Sequence, residues 1–308
     1  MRHSLQQKIT RSRRALPLAA LYAVAVWWAD GWFEGREWLG PALAALAAAL
    51  VVLLNNRHGL MRTYSQMGPC VFVLFGAAAL PLTAQVEAVG VQLCFAAAFV
   101  AVFDTFQDKT AVGRVYLAFL FIGGASVWFV QALWLVPVWW AILGFYMLSL
   151  SGRTFWASVL GVLTPYWFWL GYAVFRHDVA PFVAHFAALG RFAPVARFDG
   201  LNHSDTLLLG LVCTAALIGM LHFVFNSARD KICVRLLYYS VMLMTFAVAA
   251  FVVLQPVHFA MLLPLLILGS ALLAGHFVAF SSSRLSVAVC LALLLFTLVL
   301  TGYRLWMV

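Results

Sequence analysis

Long apolar runs separated by short polar turns fill this chain from end to end. They lie near residues 15–33, 39–54, 68–83, 88–104, 115–133, 136–150, 155–174, 206–226, 236–255, 258–280 and 285–304. Runs of this kind approach the ~20 residues that carry a helix across a hydrocarbon core. Only helices and closed barrels satisfy their backbone hydrogen bonds in that environment. The pattern therefore predicts an all-α, polytopic helical membrane protein of about eleven spans. The third run, opening after Pro69, and the sixth, beginning at Pro137, are short; tilting or local thinning of the bilayer would accommodate them. Pro165 and Pro264 fall inside spans, where a missing backbone donor predicts a kink. The alanine-rich stretch Pro41–Leu50 and the pair Gly123–Gly124 offer small faces for close helix approach.

The polar positions divide the chain into a basic tail, residues 1–14, and one helical membrane domain, residues 15–308, with a single sizeable outer loop at 175–205. The first apolar run ends in Trp27, Trp28, Trp32 and Phe33. That is an aromatic belt rather than a small-residue cleavage site, so an uncleaved first span is expected. With the amino end in the cytoplasm and the spans alternating, the inner turns receive 14 of the 19 Lys and Arg residues. The outer segments receive the other five, Arg36, Arg176, Arg191, Arg197 and Arg304. This asymmetry favours the amino end in and the carboxyl end out.

Composition agrees with the pattern. The chain is 65% hydrophobic and 9% charged, against about a quarter charged in soluble domains. A net charge of +9 is accounted for by topology and does not call for a nucleic-acid partner. The five cysteines form no C-x-x-C spacing and read as small hydrophobes. No metal and no cofactor is expected. Asp, Glu, Lys and Arg are absent from the middles of the spans, which counts against an ion-coupled transporter.

Candidate chemistry concentrates in the outer loop. Phe182, Val183, Phe186 and Leu189 recur at helical spacing between Pro181 and Gly190, predicting a short amphipathic helix on the outer leaflet. Arg176, Arg191 and Arg197 are the candidate substrate-binding residues, because a guanidinium offers paired donors to phosphate oxygens. His177, His185 and His203 are candidate bases. The ordinary alternative is an interfacial helix whose arginines snorkel to lipid phosphates. His177, Asp178, His185, His203 and Asp205 match no recognised metal-ligand spacing. Asp30 and Glu34, in the first outer turn with Glu37, hold the position at which membrane glycosyltransferases of the C type carry an acidic residue. The turn here is short, and a solvated turn is the ordinary account. The inner turns Asn55–Gln66 and Arg229–Arg235 read as topogenic, with Gly59 supplying a permissive backbone. Asp104 is expected to pair with Lys109 or Arg114.

The segment Leu54-Asn55-Asn56-Arg57-His58-Gly59-Leu60, followed by Thr63-Tyr64 and Pro69, resembles an uncharacterised family of polytopic inner-membrane proteins from Bacteroidota. That family carries an aromatic residue where this chain has His58. Thr164-Pro165-Tyr166 and the basic turn Asn226–Arg235 before a hairpin with Pro264 are similar too. The resemblance implies a bacterial inner membrane and brings no activity and no catalytic residue.

The expected partners are the lipid bilayer and either a lipid-linked anionic substrate or other envelope proteins. One expectation is an envelope protein acting on that substrate at the periplasmic face, by polyprenyl-phosphate-dependent glycan transfer or polymerisation. The alternatives are a non-catalytic accessory or scaffold subunit, and a transporter or flippase for an amphipathic solute.

Overall fold

The fold is given by a computed structural model that describes residues 12–31, 38–79, 85–196, 198, 200–281 and 283–307. Among these residues there are twelve α-helices and no strand. They are α1 (Ala15–Ala29), α2 (Leu39–Arg57), α3 (Met67–Ala78), α4 (Val86–Phe103), α5 (Val112–Trp128), α6 (Val136–Ala141), α7 (Gly152–Phe175), α8 (Ala180–Leu189), α9 (His203–Asn226), α10 (Ile232–Leu254), α11 (Phe259–Phe280) and α12 (Arg284–Met307). Seven of them, α2, α4, α7, α9, α10, α11 and α12, are long and apolar enough to cross a membrane by length and composition. The other predicted spans coincide with shorter apolar stretches: α1, α3, α5 and the segment Val130–Tyr146.

That last segment departs from the single helix expected near 136–150. It is a 3₁₀ stretch, Val130–Leu135, then α6, then a π turn, Ile142–Tyr146. Pro137 lies in the first turn of α6, where its missing N–H is harmless. At the far end the Met147 N–H reaches the Ile142 carbonyl at 2.9 Å, and Leu148 takes a positive φ of 54°, which stops the helix. The other two internal prolines do not interrupt their helices: α7 runs through Pro165 and α11 through Pro264. The Gln92 amide on α4 donates to the Pro264 carbonyl at 2.7 Å inside the core. Ser151 and Thr154 start α7 with a reciprocal capping box.

Helix α11 is the centre of the bundle. Almost every side chain from Leu262 to Phe277 is buried, and α3, α4, α9 and α10 pack around it. Helix α12 lies against α9 and α3, and α5 carries α7 on the far side of α4. In hydrocarbon the helices gain little from hiding apolar surface, so close packing of small residues matters more. A Cβ on Gly275 of α11 would run into the Gly68 backbone of α3. On α5 a Cβ at Gly123 would lie 2.7 Å from the Val162 carbonyl of α7, the close approach expected for that glycine, whereas Gly124 faces open space.

Candidate functional site

Helix termini that meet define two ends of the bundle. At one end the described residues between 176 and 196 pack on α7, on the Val130–Leu135 stretch and on the end of α10; at the other, the turns after α2, α4 and α9 come together.

At the loop end, α8 is the short helix the sequence predicts between Pro181 and Gly190, with His185 packed beside Phe182 and Phe186 rather than on another face, and three sets of contacts hold it. Tyr166 and Trp169 of α7 receive Phe182, His185 and Phe186 of α8, with the Trp169 and His185 rings 4.8 Å apart and the Tyr166 and Phe186 rings also 4.8 Å apart. The Tyr166 hydroxyl donates to Ser126 Oγ at 2.8 Å, and Ser126 in turn donates to the Gly123 carbonyl at 2.7 Å. The phenol oxygen also lies 3.4 Å from His185 Nε2. Burial against these rings pushes His185 below the ordinary imidazole range. The third set caps the free carbonyls at the end of α8: Gln131 donates to Ala188 at 3.5 Å and Trp134 to Leu189 at 3.4 Å.

Beyond α8 the chain becomes a strap. Gln255, at the end of α10, binds the Ala193 backbone twice: its Oε1 accepts from the Ala193 N–H at 2.8 Å, and its Nε2 donates to the Ala193 carbonyl at 2.9 Å. The strap closes one side of an apolar groove of about 450 Å³, walled by Trp134, Val138, Phe192, Val195, Phe251 and Leu254. Pockets of ~300–1,000 Å³ with mostly apolar walls are the usual size for small-molecule ligands. Arg191 immediately precedes Phe192 of the groove wall and is exposed.

The predicted site residues are spread along this end. Arg176 follows α7 and lies over the ring of Tyr172, 6.0 Å from its centroid. His177 takes a left-handed φ of 54°, and Asp178 accepts from the Ala180 N–H at 3.2 Å, steadying the start of α8. Ten-residue α8 stands between Arg176 and Arg191 in the chain. At 1.5 Å per residue it is about 15 Å long. His203 opens α9 and is exposed. Asp30 closes α1. Arg197 and Glu34 lie outside the described residues. Among the described residues no three His, Cys, Asp or Glu side chains are grouped to hold a metal ion.

Sequence reasoning missed two sets of charged residues. The first is at the loop end. Arg304, near the end of α12, is 2% exposed and ion-paired with Asp205 in the first turn of α9; its Nε and Nη1 have no hydrogen-bond partner. The second is at the opposite end. Asp104 pairs with Arg57 at 2.8 Å and lies 3.8 Å from His58 Nε2, rather than with Lys109 or Arg114. Arg114 instead donates to the Asp104 backbone carbonyl at 2.6 Å. Burial, aided by Arg57 and opposed by Asp104, holds His58 below its ordinary range. The turn that carries Arg57 is closed by Gly59 at φ +55°, as expected for that glycine.

Beside it, Arg62 Nε stands 2.7 Å from Asp230 Oδ1, and His276 Nε2 stands 3.4 Å from Asp230 Oδ2. The Asp230 and His276 side chains are fully buried, and the angles at both contacts fall outside hydrogen-bonding geometry. The sequence signals were an acid set between Arg229 and Lys231 and a histidine inside a strongly apolar helix. No protein-family model, curated protein or solved structure matches this chain, so its reading rests on the two ends just described.

Proposed function

We propose that the chain is a multi-pass protein of the bacterial inner membrane that takes a lipid-linked anionic ligand at its loop end. In this reading it crosses eleven times, with the amino end in the cytoplasm and the carboxyl end outside. The loop end then faces the periplasm. Charge supports this placement, because Arg57, Arg62, Lys109, Arg114, Arg229 and Lys231 all lie in the turns or adjoining helix ends of the opposite end.

The observation that carries the ligand reading is the groove under the Phe192–Val195 strap. Its walls suit an acyl or prenyl chain, and Arg191 stands next to Phe192 to meet a phosphate. A polyprenyl-phosphate-dependent glycan transfer or polymerisation would use this arrangement to hold the carrier. A non-catalytic accessory or flippase role uses the same groove.

A photoreactive polyprenyl phosphate, cross-linked to the purified protein in nanodiscs, tests the ligand reading. Labelled peptides from Trp134–Val138, Phe192–Val195 and Phe251–Gln255, with labelling weakened by Arg191→Ala, are expected. Labelling confined to other surfaces, or equal labelling by an uncharged polyprenol, would refute it. Glycan turnover by the same preparation separates the enzyme from the accessory reading.

A further inference from the structure

We propose that the groove under the strap grips only the part of a prenyl tail next to the phosphate, at most about three units, and lets the rest run out sideways into the bilayer. Ala247 and Ala250 set that limit. The proposal deepens the ligand reading above and rests on it. One wall of the groove is a single face of α10: Ala247, Ala250, Phe251 and Leu254 recur at helical spacing, with Gln255 just beyond the last turn. The facing wall is Trp134, Leu135 and Val138. Phe192, Ala193 and Val195 of the strap lie at the mouth, next to Arg191.

The inner end of this groove is shut. From Leu254 down to Ala247 the α10 wall runs about 10 Å. Beyond Ala247, α10 packs on the π turn that follows α6. Ile142 and Leu143 of that turn are fully buried, and the Tyr146 and Tyr239 rings lie 6.1 Å apart. The flank is different. Trp134 is 49%, Leu254 51% and Val195 65% exposed, so the groove is open on one side near its mouth.

Size sets how much tail fits. The groove measures about 450 Å³. A water molecule takes ~30 Å³ in the liquid, a methylene is of similar size, and the groove therefore holds at most about fifteen carbons, or three prenyl units. Any further unit has no space inside and leaves through the open flank. There it meets lipid tails, which are as apolar as a protein wall, so it gains little by staying near the protein. Only units packed against side chains add to the grip, through many small dispersion contacts. Ala247 and Ala250 control the depth because both line the same volume. Leucine at either position adds three carbons and takes up about 90 Å³.

The test uses three synthetic polyprenyl phosphates, each with a single diazirine, placed in the first, third or sixth prenyl unit counted from the phosphate. Each is cross-linked to the full-length protein in nanodiscs, and the labelled peptides are mapped. The first-unit probe is expected on Phe192–Val195 and Gln255, the third-unit probe on Val138 and Ala247–Phe251, and the sixth-unit probe on neither. Ala250→Leu should lose the third-unit label and keep the first-unit label. Ala247→Leu serves as the second variant should Ala250→Leu fail to fold. Sixth-unit label on the groove walls, or third-unit label that survives a leucine at either position, overturns the proposal. Absence of groove label from all three probes removes the ligand reading itself, and this proposal with it.

Discussion

Replacing Gln255 by Leu removes both hydrogen bonds that hold the strap while keeping an apolar side chain of similar size beside the groove. The two bonds, 2.8 and 2.9 Å long, are the only side-chain hydrogen bonds to the strap backbone among the described residues. At about 1 kcal/mol net for each bond, the closed strap loses about 2 kcal/mol. A factor of ten in an equilibrium corresponds to ~1.4 kcal/mol, so the strap should open roughly thirty times more often. Hydrogen exchange followed by mass spectrometry reads this directly: the peptide containing Ala193 should exchange about thirtyfold faster, with the interior of α10 unchanged. An unchanged Ala193 peptide would refute the claim that Gln255 pins the strap. Faster exchange throughout α10 would show that Gln255 supports the helix rather than the groove.

Other substitutions probe the buried charges and the packing. Asp205→Asn leaves the guanidinium of Arg304 buried without its partner and should destabilise the protein by about 3–5 kcal/mol; the double change with Arg304→Met should recover most of the loss in thermal unfolding in detergent. Gly275→Ala drives a methyl group into the Gly68 backbone and should cost about 1–3 kcal/mol of stability, read in the same assay. His58 gives a signed pH effect. Its folded pKa is lowered, chiefly by burial, so its contribution is complete above the unfolded value of 6.5 and is lost as pH falls through the folded one. The drop in melting temperature on acidification should therefore be smaller in His58→Gln than in the wild type.

How far the sequence reached is explained by the range of the interactions involved. The apolar runs other than 136–150 became helices because a run of that length satisfies its own backbone locally, and the Phe182–Leu189 spacing located α8 for the same reason. The break at Ile142–Tyr146 was hidden because it depends on Met147 turning back to bond Ile142 and on Gln107 reaching the Met147 carbonyl from another turn. Asp104 found Arg57 rather than Arg114 because α2 packs on α4, which no local spacing reveals. Arg62, Asp230 and His276 are more distant still in the chain. Their turns are individually what a basic end requires, and only the packing of α9 and α11 makes them one cluster. At the loop end, Arg176 and Arg191 flank α8 in the chain. The groove residues, by contrast, come from three separate segments and carry no pattern that a linear reading detects.

The central claim is that the strap and groove lie on one side of the membrane and the Arg62–Asp230–His276 cluster on the other, with the groove side outside. Single cysteines at His203 and at Tyr64, in a chain freed of its native cysteines, test it in intact cells with a membrane-impermeant thiol reagent. The account predicts labelling at position 203 in intact cells and at position 64 only after permeabilisation. Labelling of both positions from the same side, or the reverse pattern, would contradict it.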